Sequence, residues 1–417
     1  MKYSFQTLAA VILYVVASVA WAEEVRVSPG TGTLGAAIGA ARSGDTLVLE
    51  DGAFFGDVTV LKSLTIRPLN RNTNAVIKGT VAVEAPAGEV TLQGLKFENH
   101  VYLWQADAIN LLENQWLNEA DLLCNGYRSS EGDGALVIVG NRFAAGSVID
   151  AVHTDGAYIA GNVLLNGYIS TFSYAWIVGN DVYRNPYDAI YAGAGTKALI
   201  LANRVRCEQS RFGSCLKALA SLNLVAGNII ESVDTSNNSH TQHLIYSETL
   251  GETIILNNVM RGFSPASRSG AGIYVEAGQA RVSGNIIVDW ISSSGTPIEV
   301  VSAAAEITNN LCDNNSGSCP EGEGNLDQDP EFVDLDDYQL AATSPAIDAG
   351  PADYGLSDLD RTRNDMGAHG GPWSIGQYDA QRAPGNLAPF VYPLFEIGSN
   401  LSGGLLDVRA LGVARLR

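Results

Sequence analysis

The sequence predicts an all-β protein, a parallel β-solenoid, from three observations. An asparagine returns in one frame, the residues around it are β-branched, and the interval between copies varies about a fixed mean. The frame is an apolar residue, two small or polar residues, Asn, any residue, and another apolar residue. Its copies IVGNRF, IAGNVL, IVGNDV, ILANRV, VAGNII, ILNNVM, VSGNII and ITNNLC place Asn141, Asn162, Asn180, Asn203, Asn228, Asn258, Asn285 and Asn310. LLENQW adds Asn114 as a weaker copy, and LQGLKF puts Leu95 in the frame. From 95 to 310 the intervals run from 18 to 30 residues and average about 24. A fixed motif with a variable period of this size marks a solenoid whose coils each carry a surface insertion. Each copy is too short for a useful helical turn and suits a strand. Stacking makes the asparagines a ladder, each amide bonding the copies above and below it.

In chain order, Met1 to Ala22 comes first, with a basic start at Lys2, the apolar run LAAVILYVVASVA and an A-x-A site at Ala20-Trp21-Ala22. That pattern predicts a cleavable secretory signal and a secreted or periplasmic protein, and the run is too short to span a bilayer comfortably. In TLGAAIGAAR, from Thr33 to Arg42, Ala and Ile fall at helical spacing; Ser43-Gly44-Asp45 stops the helix and TLVLEDGAF begins a strand. A short helix there would cover the apolar end of the stack. The stretch TLGAAIGAARSGDTLVLEDGAFFGDVTVLKSLTIRP at 33–68, the Asn coils, and the downstream segments DPEFVDLDDYQLAATSPAIDAG (329–350) and DLDRTRNDMGAHGGP (358–372) together resemble the pectate-lyase-like superfamily of right-handed parallel β-helix proteins. The resemblance covers about 33–372 and implies one single-stranded right-handed β-helix, with a closing segment after the last coil. The right-handed bias of parallel connections points the same way. About ten coils are expected, from roughly 45 to 345, within a β-helix unit of 23–372. Beyond GAHGGPW the period is lost, and a small β extension is expected over 373–417, with a disordered tail as the alternative. On activity the resemblance is silent, because the superfamily holds lyases, hydrolases, esterases, epimerases and non-catalytic adhesins.

Composition narrows the partners. A formal charge of −20 opposes nucleic acid and an anionic membrane surface. It also opposes an acidic polysaccharide unless a local basic patch or a cation reverses the field. Cys207 and Cys215 lie eight apart and Cys312 and Cys319 seven apart, each pair around turn-forming residues, which predicts two local disulfides and leaves Cys124 free. No cysteine or histidine cluster has zinc spacing. DLDRTRND at 358–365 lacks the Gly and distal Glu of a calcium loop, so no metal is expected there. A monomer is expected.

A second periodicity picks out one face. Ile149, Ile169, Ile190, Leu216, Ile245, Ile273 and Ile298 precede the ladder asparagines by 11 to 13 residues. If they point inward, strand alternation turns outward the next residue of each coil: Asp150, Ser170, Tyr191, Lys217, Tyr246, Tyr274 and Glu299. Tyrosine faces take the C–H surfaces of sugar rings, and charged neighbours hold acids or do chemistry. Lys217 stands between Tyr191 and Tyr246, after a loop bearing Arg206 and Arg211. The longest insertion brings His240 and His243 towards the same region. Among cations Lys217 would lose proton affinity, as a base needs; the plain alternative is a lysine stacked on tyrosine for packing. Arg184, within YRNPYDAIY, would rim an adjoining subsite, and the turn at His153 and Asp155 is the fallback site.

The favoured enzyme reading is a polysaccharide lyase acting on an extracellular acidic polysaccharide by β-elimination. Lys217 or His243 would take the C5 proton, Arg211 or Arg184 would clamp the carboxylate, and Tyr246 would protonate the leaving oxygen. Tyr191, Tyr274, Asp150 and Glu299 would bind the chain. No cofactor is assigned; the positive charge at the carboxylate comes from arginine or from Ca²⁺. A glycoside hydrolase using Glu248 and Glu276, at one offset in successive coils, is a second enzyme class. The non-catalytic alternative is a glycan-binding or adhesin-type β-helix.

Overall fold

In this computed structural model, the residues described are 22–124, 136–151, 156–172, 174–184, 188–208, 213–233, 242–263, 270–292, 295–301, 304–378, 390–394 and 409–413. The predicted secretory signal, Arg211, His153, Asp155 and His240 lie outside them. The strands form a 22-stranded and a 14-stranded sheet, whose interstrand pairings are parallel throughout. Each coil contributes up to three strands. A first row includes Ile190–Ala192 and Gly213–Ala218, a second Lys197–Leu201 and Leu222–Ala226, a third Arg204–Cys207 and Ile229–Val233. The chain is the predicted all-β parallel solenoid.

The asparagines occupy the corner between the second and third rows, in one column and fully buried or nearly so. Asn180 Nδ2 donates to Asn203 Oδ1 at 3.0 Å and to the Ile159 carbonyl at 2.8 Å, and its backbone N–H donates to the same Asn203 oxygen at 2.9 Å. The same pattern repeats from Asn114 to Asn310. Leu95, lacking an amide, contributes only its backbone N–H, 2.9 Å from Asn114 Oδ1. Asn325 adds a rung that the frame missed, because no apolar residue stands three before it; it accepts from Asn310. A buried corner thereby satisfies every amide group with its neighbours, as burial of polar atoms demands. The residue before the ladder Asn is left-handed in coil after coil: Gly140, Gly161, Gly179, Gly227 and Gly284, but also Ala202, Asn257 and Asn309. That is why Gly-Asn recurs in the frame.

The stack begins earlier than expected. Glu24–Val27 pairs with Thr46–Leu49, so a strand of the first coil precedes the helix. The helix α1, Thr33–Ala40, buries Leu34 and Ile38. Lys62 Nζ reaches back to the Gly39 and Ala41 carbonyls at its C-terminal end, at 3.2 and 2.8 Å. The last third-row strand is Leu326–Asp327, short of the expected limit near 345.

Residues 328–378 do not build a further coil. They turn back as a strap along the outside of the Asn corner. Tyr338, Ala346, Leu356, Met366, Ala368, Trp373, Ile375 and Tyr378 join one apolar cluster with the outward residues Val137, Trp176, Leu199, Leu224 and Ile254 of the second row and Ile229, Val259 and Ile286 of the third. Polar contacts fasten it: Arg204 to Asp337, Tyr338 Oη to Glu231 Oε1 at 2.5 Å, and Asn257 Nδ2 to Asn364 Oδ1 at 2.7 Å. The closing segment therefore covers a flank of the solenoid. Phe390–Leu394 and Arg409–Val413 pair as two antiparallel strands.

Both expected disulfides are present, Cys207–Cys215 and Cys312–Cys319, each with Cα atoms 5.5 Å apart, and Cys124 is free and buried. Among the described residues no helix is long and apolar enough to cross a membrane.

Candidate functional site

The first row is the sheet face that the strap leaves uncovered, and its register decides which side chains meet there. Ile149, Ile169, Ile190, Leu216, Ile245 and Ile273 are wholly buried and Ile298 nearly so. The next residue in each strand forms one column, in the order Asp150, Ser170, Tyr191, Lys217, Tyr246, Tyr274 and Glu299, each paired with its neighbour; all but the buried Ser170 reach the surface. The column continues upstream through Leu123 to Tyr102.

Within it Lys217 lies between two rings, its Nζ 5.8 Å from the centre of Tyr191 and 5.0 Å from that of Tyr246. No carboxylate pairs with it among the described residues. Tyr246 and Tyr274 stack at 5.8 Å, with 11° between their planes. Tyr191 packs on Phe172 at 5.3 Å. Burial and the neighbouring Asp188 raise the Tyr191 phenol above its ordinary range; burial, Glu276 and Glu299 do the same for Tyr274. The Tyr246 hydroxyl contacts Glu248 Oε2 at 2.9 Å and also Glu276 Oε2. Burial and those two carboxylates hold it protonated far above neutral pH. Both glutamates are exposed and both are engaged by the one phenolic hydroxyl, unlike a pair left free to flank a glycosidic bond.

His243 is placed beside the column in a distinct role. It is only 7% exposed, stacks on Tyr274 with ring centres 4.5 Å apart, and its Nδ1 accepts from the Ala271 N–H at 3.1 Å. Burial pulls its pKa down to about 4, which makes it a weak base and a neutral platform at pH 7.

Arg206 and Arg184 are not placed beside Lys217 as the loop sequence suggested, and Arg211 lies outside the described residues. Arg206 lies in the third row, on another side of the coil, with Nε 2.6 Å from Glu231 Oε2. Arg184 ends the strand Asp181–Arg184, where its backbone pairs with Cys207 in that same third row. Asp188 is held by structure, accepting from the Ser214 N–H at 2.7 Å. Tyr183 contacts Glu208, which pushes its phenol up to about 12. The ligand-type atoms that converge among the described residues belong to Cys312, Cys319 and Asp327. The two sulfurs are bonded to each other, so that group is a disulfide beside an acid.

No family model matches the chain, and no curated protein matches it. Among solved structures, the crystal structure of pectate lyase Pel9A is similar over 83% of this chain and 96% of that one, with 14% sequence identity and a TM-score of 0.36. A likeness of that strength carries no argument about activity.

Proposed function

We propose that this protein engages an extracellular polysaccharide along the first-row face, with Tyr191, Tyr246 and Tyr274 as ring platforms and Lys217 meeting an acidic group of the chain. The observation that carries this reading is Lys217 itself: a cation held between two aromatic faces, with no carboxylate partner among the described residues. In a chain of net charge −20 such a group favours an anionic ligand locally, while tyrosine rings favour the apolar faces of sugars. Two disulfides suit an oxidising, exported setting.

A lyase is the second reading, favoured by an amine and a phenol on adjacent coils of one face. That reaction needs a base for the C5 proton, the place of Lys217; the electrons form the new double bond as the bond to the leaving oxygen breaks, and Tyr246 protonates that oxygen. Elimination releases unsaturated ends that absorb in the ultraviolet. Alginate, polygalacturonate and chondroitin sulfate, each with and without Ca²⁺, are the substrates to test. Lys217→Ala should abolish any such release while the fold persists; retention of a polymer with no absorbance change assigns a binding protein. If the Tyr191, Tyr246 and Tyr274 alanine pairs retain polymer unchanged, the site lies elsewhere.

A further inference from the structure

We infer that Tyr102 and Trp104 form a second, aromatic subsite for the same polysaccharide, on the same face and remote from Lys217. The inference rests on the proposed polysaccharide binding and extends it. Register places Tyr102 in the outward column, four coils from Tyr191 through Leu123, Asp150 and Ser170, roughly 19 Å at the usual strand spacing.

Two local features set this pair apart. A bulge interrupts the strand Val101–Leu112 between the wholly buried Leu103 and Ala106: Trp104 keeps the outward parity of Tyr102, Gln105 is turned outward as well, and the register skips from Leu103 to Gln105. Two residues thus stand outward opposite one, which leaves the first of them unpaired in the ladder and exposed. The residue so exposed is a tryptophan, 46% accessible, lying nearly parallel to Tyr102 with ring centres 6.3 Å apart and 18° between planes. Packing of the core does not require that exposure, whereas a sugar ring laid on a flat aromatic surface does.

The second feature is a cleft of about 620 Å³ at the adjoining corner, lined in part by His100, Asn118, Glu119 and Asp121. It abuts the pair through His100, whose ring meets Tyr102 edge-on at 6.0 Å. Amide, carboxylate and imidazole groups beside an aromatic plate can receive sugar hydroxyls. The acids there disfavour a carboxylated residue, so this subsite takes an uncharged sugar ring while Lys217 takes an acidic one. A ligand reaching both must span the coils between them, so only long chains gain from both.

Retention of hyaluronan and of partly methyl-esterified pectin, polymers that carry both uncharged and carboxylated rings, tests this, each as a long polymer and as a short oligosaccharide unable to reach from Tyr191 to Tyr102. Trp104→Ala should weaken long-polymer retention roughly tenfold, leave short-chain retention unchanged, and leave the melting transition in place because Trp104 is exposed. Unchanged long-polymer retention overturns the subsite, and if the Tyr191–Tyr274 variants lose retention in the same assay, the main reading survives without it. Equal loss on long and short chains overturns it too, since the pair would then belong to the primary site. If the unsubstituted protein retains none of the polymers, both the reading and its extension fall.

Discussion

At the scale of single residues, the ladder asparagines carry a large share of the fold's specificity. Asn203 accepts two bonds from Asn180 and donates one to the Ile177 carbonyl, all within a dry corner. Asn203→Ala leaves those three partners buried and unmatched, and should cost about 3 kcal/mol or more in equilibrium denaturation. His243 has a different signature. Its folded pKa is depressed to about 4 from 6.5, so the unfolded chain takes the proton first as pH falls. Its stabilising contribution is present above pH 6.5 and lost between 6.5 and 4, by at most about 3 kcal/mol. Denaturation at pH 7 and pH 4.5 should show that loss in the native protein and a smaller one in His243→Gln; equal losses in both would rule it out. The tyrosine column was legible because strand alternation has a period of two, and one buried isoleucine per coil fixes the parity of its neighbour. The positions of Arg184 and Arg206 were not legible. Adjacency in sequence does not say which side of a coil a residue leaves from, and Arg206 turned out to be one corner away from Lys217.

At the scale of elements, strap and solenoid interlock through glycines. Gly179 and Gly227 both hold the left-handed position before a ladder Asn, with φ of 62° and 66°. Gly227 lies under the strap, where an added Cβ would sit 2.1 Å from the Trp373 carbonyl oxygen. Gly227→Ala should therefore cost clearly more than the roughly 1 kcal/mol of left-handed backbone alone and lift the strap. Limited proteolysis within 328–378, faster in this variant than in the native protein, would check this. The strap's footprint was present in the sequence. LVIV, AWIV, ALIL and TIIL are apolar at nearly every position, which a strand with one wet face would not be. Such runs report two-sided burial without saying what covers the outer side, so the covering segment could be mistaken for an end piece.

At the scale of the whole molecule, the faces divide the labour. The Asn corner and much of the second row are sealed by the strap, and among the described residues the strap does not reach the first row. On that face one lysine works against a chain of charge −20. Retention of an acidic polymer should weaken as salt is raised over the range where the Debye length shrinks below about 10 Å, and Lys217→Ala should flatten that dependence. A salt slope equal in both proteins would remove Lys217 from the contact. The number of coils and their order were readable because the ladder repeats; the extent of the stack was not, since its first strand precedes the helix and carries no Asn.

The strap also acts as a gauge. Solenoids ordinarily gain or lose whole coils, because each coil touches only its neighbours. Here one segment is tied at Arg204, at Asn257 and, through the Gly367 N–H, at the Gly284 carbonyl 2.7 Å away. Excising the coil between Asn203 and Asn228 would let the amide ladder rejoin, yet would shift these anchor points by one strand spacing, roughly 4.8 Å, relative to a strap of fixed length. In this stretch the protein's length is thus set by its own tail, and drift by duplication or loss of a coil is open only to the coils upstream of it.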